Sequence, residues 1–380
     1  MGTARAPVVE TLPADAAVWF VSDLHLGDGT PSDVFFGKDR HLRALIDRVD
    51  AEGAVLVVVG DALDFHQAWS LTHILRAHHD VLSAMSRLGR DGRLVYVVGN
   101  HDFDIGLYRQ LLSWRVCDEL HVGDQILVQH GYQYDPVVGG RLEGSHLVTK
   151  VHHLVERWLN TWIRIPLGEF YTLPNRVFVW LLHALAVAMW AWDTGCKQIG
   201  LPSPFEGALR ALDFAARSNQ GDSMCIFRPI VERLRTDRWP AILCGHSHVA
   251  GKVRVGDRWY VNTGSWTFGS AQYVVWDKGE FIVRDWLSGR DYGHELYLPM
   301  LDGTLDEKDF WQWYRENDLG WLRYREGEEK RGKLRGWQTW MREAQARAEV
   351  VPRPKRPKKR PVEPPRPETV GAVAQGEQKP

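Results

Sequence analysis

The sequence has few cysteines, almost no net charge and no secretory signal. Its four cysteines lack any CxxC spacing, which argues against a disulfide framework and favours a reducing compartment. The formal net charge is -1, so the composition predicts no general attraction to nucleic acid or to a membrane. The N-terminus has no basic region followed by a long apolar stretch. We therefore expect a cytoplasmic protein.

Short apolar runs that end in polar motifs are what the sequence does contain. The hydrophobic content of 44% is sufficient for a substantial core. The runs occupy residues 18–21, 55–59, 94–98, 126–128 and 241–243. Segments with helical spacing, at 41–49 and 74–88, separate the first three. This alternation predicts a doubly wound or layered α/β fold, whose strands are buried on both faces and whose ligands bind beyond the carboxyl ends of the strands.

The motifs after these runs supply candidate metal ligands. Each is weak alone: Asp23 and His25 are spaced to share one face of a strand, and His130 by itself is more often a packed histidine. Together they offer two Asp, one Asn, four His and no Cys, namely Asp23, His25, Asp61, Asn100, His130, His246 and His248. Oxygen and imidazole donors without thiolate suit Mn, Fe, Zn or Co. Seven ligands exceed one tetrahedral site and fit two ions.

The blocks DLH, GDALD, GNHD, HG and GHSH, in this order, resemble the signature of the calcineurin-like metallophosphoesterase superfamily. The stretch RWYVNTGSW, residues 258–266, resembles the strand and turn that follow the last histidine block in those enzymes. The likeness covers about half of the chain, residues 18–135 and 240–290. It implies a β-sandwich flanked by helices. It also implies hydrolysis of a phosphate ester or pyrophosphate bond by a hydroxide that bridges two metals.

The same resemblance assigns a role to each motif residue. It places Asp23, His25 and His248 on one metal, Asn100, His130 and His246 on the other, and Asp61 between them. The expected ions are Mn²⁺, with Fe, Zn or Co as alternatives. His101 would donate to a phosphate oxygen or protonate the leaving alkoxide. Asp64 would accept a hydrogen bond from the other nitrogen of His101 and fix its tautomer.

The substrate is expected to depend on an insertion of over a hundred residues between His130 and His246. Within it, the 16 residues 177–192 form a nearly unbroken apolar run, which is shorter than the roughly 20 residues that span a bilayer. We predict a helix buried in a cap, with a lid that faces lipid as the alternative. A helical apolar insertion resembles the bacterial UDP-2,3-diacylglucosamine pyrophosphatases, whose lid contacts acyl chains. This likeness implies a phosphorylated lipid substrate, or otherwise a phosphorylated small molecule.

The predicted organisation has four parts. Residues 1–135 and 241–300 form the metallophosphoesterase core, 136–240 the helical insertion, 301–350 an accessory helical segment rich in charge and tryptophan, and 351–380 a disordered tail that is basic and proline-rich. The basic tail and the apolar insertion could both meet an anionic membrane surface. Peripheral association with the inner face of the cell membrane is therefore the alternative to a freely cytoplasmic location.

Three classes of function remain open from the sequence. The leading one is a phosphoric ester or anhydride hydrolase that acts on an acylated substrate. A general phosphatase, or a nucleotide or nucleic-acid phosphodiesterase, would use the same metals, but the near-neutral composition gives no reason to expect a nucleic acid partner. A non-catalytic scaffold is disfavoured, because it has no need of two complete sets of metal ligands.

Overall fold

The computed structural model describes residues 7–30, 33–35, 37–135, 154–155, 173–208, 224–267, 270–277, 279–294 and 297–302. In these residues the strands are β1 Val9–Leu12, β2 Val18–Val21, β3 Val55–Val59, β4 Leu94–Val97, β5 Arg115–Cys117, β6 Glu119–Val122, β7 Ile126–Val128, β8 Ala241–Cys244, β9 Gly251–Val255, β10 Arg258–Asn262, β11 Gln272–Asp277 and β12 Glu280–Asp285. The α-helices are α1 Asp39–Ala51, α2 Phe65–Ala68, α3 Leu71–Ala77, α4 His79–Arg90, α5 Arg109–Leu112, α6 Leu173–Gln198, α7 Met224–Thr236 and α8 Leu298–Leu301. Short 3-10 helices cover Phe103–Leu107 and Tyr132–Tyr134.

The strands form two six-stranded mixed sheets. One has the order β12-β11-β2-β3-β4-β5, in which β2 to β5 are parallel, and the other has the order β1-β6-β7-β8-β10-β9. All five apolar runs of the sequence are strands: β2, β3 and β4 lie in the first sheet, and β7 and β8 are parallel neighbours in the second. The predicted strands are therefore confirmed.

Alternation along the strands divides the core into layers. In β2, Val18 and Phe20 pack between the two sheets, whereas Trp19 and Val21 pack on the other face against α1 and α4. The outer face of the second sheet packs against α7 through residues such as Ile242 and Tyr260. The fold is thus a β-sandwich flanked by helices, as predicted.

The predicted helix over 74–88 is wrong as a single element. The segment consists of α3, which ends at Ala77, and α4, which begins at His79. The break is at His78, whose φ of -125° is not helical. This buried side chain bonds to Asp33 and Asp39 instead. The hydrogen bonds of the buried His78 side chain therefore accompany a break in a helix that the spacing of apolar residues predicts as continuous. The helix predicted over 41–49 is present as α1.

The apolar run 177–192 lies within α6, which is 26 residues long. Its predicted burial on all sides is wrong for Leu181, Leu185 and Trp192, which are 52%, 53% and 65% exposed. Nonetheless, in the part of the chain that the structure describes, no helix has the length and apolar character required to cross a membrane.

Several predictions fall outside the described residues. They include most of the insertion at 136–153, 156–172 and 209–223, and the accessory segment and basic tail after residue 302. The four-part domain organisation, with its boundaries, therefore stays a prediction.

Candidate metal centre

The predicted ligands converge beyond the carboxyl ends of β2, β3, β4, β7 and β8. Of the three groups of three potential ligands in the described residues, two consist of predicted metal ligands alone, and in each of these two triads the ligand atoms lie within 4.8 Å of one another. The triads are Asp23, His25 and His248, and Asp61, His130 and His246. The first is the set that the sequence analysis assigns to one metal. The second joins the predicted bridging carboxylate to two ligands assigned to the other.

Hydrogen bonds interlock the loops of the two triads. The amide of His25 donates to the carbonyl of Asp61 at 2.9 Å, and the amide of His246 donates to Asp23 Oδ2 at 2.9 Å. Asp61 Oδ1 in turn accepts from the amide of His101 at 2.8 Å, which fixes the loop that carries Asn100. The triads therefore form one rigid cluster rather than two independent sites.

The donor atoms fit a pair of divalent cations. Among the buried side-chain atoms of the described residues that have no hydrogen-bond partner, four belong to predicted ligands: Asp23 Oδ1, His25 Nε2, Asn100 Oδ1 and His130 Nε2. A buried polar atom without a partner costs about 1–3 kcal/mol, so such a concentration requires an explanation. Asp23 Oδ1 lies 3.1 Å from His248 Nε2, and Asp61 Oδ2 lies 3.2 Å from His130 Nε2. Two ligands about 2.1 Å from one ion and ~90° apart are separated by about 3 Å.

In three of the four predicted ligand histidines, the second ring nitrogen is held by an acceptor. His130 Nδ1 donates to the carbonyl of Val59 at 2.7 Å, so Nε2 is the nitrogen that faces the cluster. His25 Nδ1 lies 3.2 Å from Asp64 Oδ2. His246 Nε2 lies 3.0 Å from Asp135 Oδ2. Such contacts orient metal-binding histidines. The sequence analysis missed Asp135, although an acidic residue five positions after His130 was a possible signal.

The electrostatics favour positive charge in the cluster. Although burial alone lowers the pKa of His130, the carboxylates of Asp61 and Asp23 raise it to about 10. Burial raises the pKa of Asp61, but the imidazoles of His130 and His101 hold it well below its usual range. The buried carboxylates are therefore ionised, which is the condition that binding of a cation requires.

Left-handed backbone brings the ligands together. Five of the seven predicted ligands have a positive φ, namely Asp23 (50°), His25 (46°), Asp61 (51°), His246 (63°) and His248 (61°). Non-glycine residues rarely adopt this region, at a cost of about 1–3 kcal/mol each. The prediction that Asp23 and His25 share one face of a strand is wrong, because β2 ends at Val21, before both residues. His246 and His248 likewise lie after β8, which ends at Cys244. Strained turns after the strands, not pleating, direct the side chains inwards.

Glycine is required where the loops approach most closely. A Cβ at Gly99 would overlap the carboxylate of Asp61, and a Cβ at Gly245 would lie 2.6 Å from Asp23 Oδ2. The glycines of the GNHD and GHSH blocks are therefore explained by the space that the carboxylates occupy.

Asp102 supports the loops that carry Asp61 and Asn100. It is fully buried and accepts from the amides of Gly99 and Ala62, both at 2.8 Å, and from the hydroxyl of Tyr96. Burial and the charge of Asp61 raise the pKa of Asp102 to about 7. Its contacts connect the loop of Asp61 to the loop of Asn100.

His101 and Asp64 have the predicted contact. Asp64 Oδ1 lies 3.1 Å from His101 Nδ1. Asp64 Oδ2 contacts His25 as well, so this carboxylate orients two imidazoles where the sequence analysis expected one. Asp64 is also the N-cap of α2, because its Oδ1 accepts from the amide of Gln67 at 2.9 Å.

An open cavity of about 470 Å³ borders Asn100 and His101. Its apolar walls are Phe65, Trp69, Leu71, Phe103, Tyr108 and Leu154, and its further polar lining is His66, Ser70 and Asp104. Trp69 and Phe103 are 55% and 52% exposed. The sequence analysis did not identify these residues, although several directly follow the GDALD and GNHD blocks.

Comparison with known proteins agrees with this geometry. The family model described as Calcineurin-like phosphoesterase matches residues 16–196. The matched residues, just under half of the chain, are similar to this family. Together, this match and the two triads of ligands indicate a metal-dependent phosphoester hydrolase with two divalent ions at the cluster. The match ends before the GHSH block, which the fold nevertheless brings to the same site. No curated protein sequence matches the chain.

The chain is also similar to several solved structures. An archaeal phosphodiesterase is 10% identical, with 71% of this chain and 99% of that chain covered, at a TM-score of 0.33. Yfce, a phosphoesterase from E. coli, is 13% identical, with 72% of this chain and 96% of that chain covered, at a TM-score of 0.33. A dimetal phosphatase from Danio rerio is 14% identical, with 71% of this chain and 96% of that chain covered, at a TM-score of 0.37. At these TM-scores none of the three bears on the substrate of this chain.

Proposed function

We propose that this chain hydrolyses a pyrophosphate bond of an acylated nucleotide, of the UDP-2,3-diacylglucosamine type, at a pair of Mn²⁺ ions. The observation that carries the metal-dependent part is the set of four buried ligand atoms without hydrogen-bond partners at predicted ligand positions. The acylated substrate rests on the apolar surfaces around the site.

The proposal assigns a place to each ligand. Asp23, His25 and His248 would hold one ion, Asn100, His130 and His246 would hold the other, and Asp61 would supply the carboxylate shared by the two. Bound there, two divalent ions would neutralise phosphate charge and lower the pKa of the attacking water. Against the charges of Asp23 and Asp61, they leave the site about +2, which attracts an anionic phosphate.

His101 acts on the substrate in this mechanism. Its Nδ1 is held by Asp64, so Nε2 is the nitrogen that can donate to a phosphate oxygen or to the leaving group. The ring lines the open cavity and retains 15% of its side-chain exposure. Asp64 fixes the tautomer, since its carboxylate accepts the proton on Nδ1.

Apolar surface supports the substrate class. The cavity beside His101 has six apolar or aromatic wall residues. On α6, Leu181, Leu185 and Trp192 expose apolar side chains to solvent. Exposed apolar residues of this kind favour contact with acyl chains or with a membrane surface over contact with a small polar substrate.

A substrate panel tests the proposal. The purified full chain, supplied with Mn²⁺, is assayed against UDP-2,3-diacylglucosamine, ADP, a simple phosphate monoester, an aryl phosphodiester and single-stranded DNA. We expect the acylated nucleotide to have the highest kcat/KM. Preferred, strongly salt-dependent cleavage of DNA would replace the proposal with a nuclease. Absence of turnover on every substrate, with both metals bound, would indicate a scaffold.

A further inference from the structure

We propose that His66 is a second imidazole that contacts the substrate, and that it donates a hydrogen bond to the leaving phosphate when the scissile bond is a phosphoanhydride. The inference rests on the proposed function, because it concerns the same cavity and the same class of substrate. It assigns a residue that the signature motifs do not include.

His66 is held rigidly beside His101. It lies on α2, which is capped by Asp64, the same carboxylate that contacts His101. The ring centroids of His66 and His101 are 4.7 Å apart, with planes inclined by 50°. His66 is only 4% exposed and lines the cavity together with His101 and Asn100. A buried polar ring in the wall of a cavity is positioned to meet a polar group of the ligand.

The two neighbours of His66 on α2 have partners of their own. Gln67 Nε2 donates to Asp28 Oδ1 at 2.8 Å, away from the cavity, and the ring of Phe65 packs against Tyr108 with centroids 5.8 Å apart. These contacts fix the rotation of the helix and leave the His66 ring in the cavity wall.

His66 is not placed as a metal ligand. Among the described residues it belongs to none of the groups of three that could hold an ion, whereas His25, Asp64 and His101 form such a group. The ring of His101 contacts both the ring of the predicted ligand His25 and the ring of His66, with centroids 4.7 Å apart in each pair, so His101 connects His66 to the first triad. In a bound phosphoanhydride, the attacked phosphorus is at the cations and the leaving phosphate lies further out.

The chemistry requires a donor at this position. The oxygen of water forms a bond to the attacked phosphorus and its proton is released to solvent, while the bond from that phosphorus to the bridging oxygen breaks and its electron pair stays on the leaving phosphate. Negative charge therefore grows on the leaving phosphate, and a fixed N–H donor stabilises this charge. A phenolate leaving group offers no phosphate oxygens to His66. The residue thus distinguishes pyrophosphate bonds from aryl esters.

Two substitutions at His66 separate donation from packing. His66→Leu removes the donor, and His66→Gln retains an N–H. We expect His66→Leu to lower kcat/KM for UDP-2,3-diacylglucosamine about 10- to 100-fold, the effect of one hydrogen bond to a charged group. Turnover of an aryl phosphodiester should change less than about 3-fold. His66→Gln should restore part of the loss. His79→Leu, at a histidine whose side chain is 77% exposed, is the matched control and should alter neither substrate.

A binding measurement complements turnover. In calorimetry with the Mn²⁺-loaded full chain, wild type should bind methylenediphosphonate more tightly than methylphosphonate, and His66→Leu should lose this preference. Bound metal and the midpoint of thermal unfolding of each variant are recorded alongside. Equal losses on both substrates, or an unchanged diphosphonate preference, would overturn the role of His66. If wild type turns over no pyrophosphate, the proposed function fails, and the diphosphonate preference still decides the role of His66.

Discussion

Two buried clusters of carboxylates and imidazoles differ in how their polar atoms are satisfied. In the metal centre, Nε2 of His25 and of His130 faces other ligands without a hydrogen bond. In the second cluster, His78 Nδ1 lies 2.7 Å from Asp39 and Nε2 lies 3.1 Å from Asp33, so both nitrogens are bonded. The same residue types therefore form a cation site in one place and an ion pair in the other. Hydrogen-bond satisfaction, not composition, distinguishes them.

The clusters also differ in backbone conformation. Each triad contains residues in the left-handed region, among them Asp23 and Asp61. His78 has a φ of -125° and ends a helix without entering that region. Strain of this kind accumulates where geometry serves a ligand. Removal of single side chains should therefore affect metal and catalysis at one cluster, and folding stability alone at the other.

The largest effect is expected from Asp61→Asn. The change removes the charge of the carboxylate that is proposed to be shared by the two ions, and it places an amide beside His130 Nε2, which is 3.2 Å from the present Oδ2. We expect kcat to fall by at least about 10³-fold and bound metal to fall below two ions per chain, because a neutral amide bridges cations poorly. Metal content and turnover of an aryl phosphodiester measure this. Full activity with two ions bound would contradict the bridging role.

His101→Ala should separate chemistry from metal binding. The imidazole contacts Asp64, but it is not placed among the ligands of either triad. We expect both ions to remain bound while kcat falls about 10²- to 10⁴-fold, the range of general acid catalysis. Elemental analysis and steady-state kinetics on the same preparation give both values. Loss of metal together with activity would assign His101 to the metal centre instead.

His78→Gln should destabilise the fold without loss of metal. Burial lowers the pKa of His78, yet its bonds to Asp33 and Asp39 raise the pKa to about 10. Breaking such a buried pair leaves uncompensated carboxylates and should cost about 3 kcal/mol of unfolding free energy. Urea unfolding measures the loss near pH 6. His79→Gln, at the exposed neighbour, is the control and should change little.

The difference in unfolding free energy between wild type and His78→Gln should depend on pH with a definite sign. The folded state binds the proton of His78 more tightly than the unfolded chain, whose histidine pKa is 6.5. The stabilisation is therefore fully present below pH 6.5 and is lost as the pH rises through about 10. Wild type and His78→Gln should converge in stability at high pH. A constant difference from pH 6 to 10 would show that His78 acts by packing alone.

The sequence predicts the strands and the ligand types well, because both depend on local pattern. The valine-rich runs are strands, and the motif blocks after them lie at one site. Positions fixed by long-range contacts were not predicted. The break at His78 depends on Asp33 and Asp39, which are distant in sequence, and Asp135 meets His246 across 111 positions. No window of local sequence contains such partners.

Asp102→Asn should have the smallest effect and test how firmly the loops must be held. The carboxylate accepts from the amides of Gly99 and Ala62, and an amide NH₂ in place of one oxygen would face an N–H donor. The loops of Asp61 and Asn100 should then move apart slightly, so we expect metal affinity to fall about 10-fold, as for other residues that orient ligands. Competition with a fluorescent chelator measures this affinity. Asp80→Asn, at a side chain that is 84% exposed, is the control. Unchanged metal affinity in Asp102→Asn would mean that the left-handed turns position the ligands without the hydrogen bonds of Asp102.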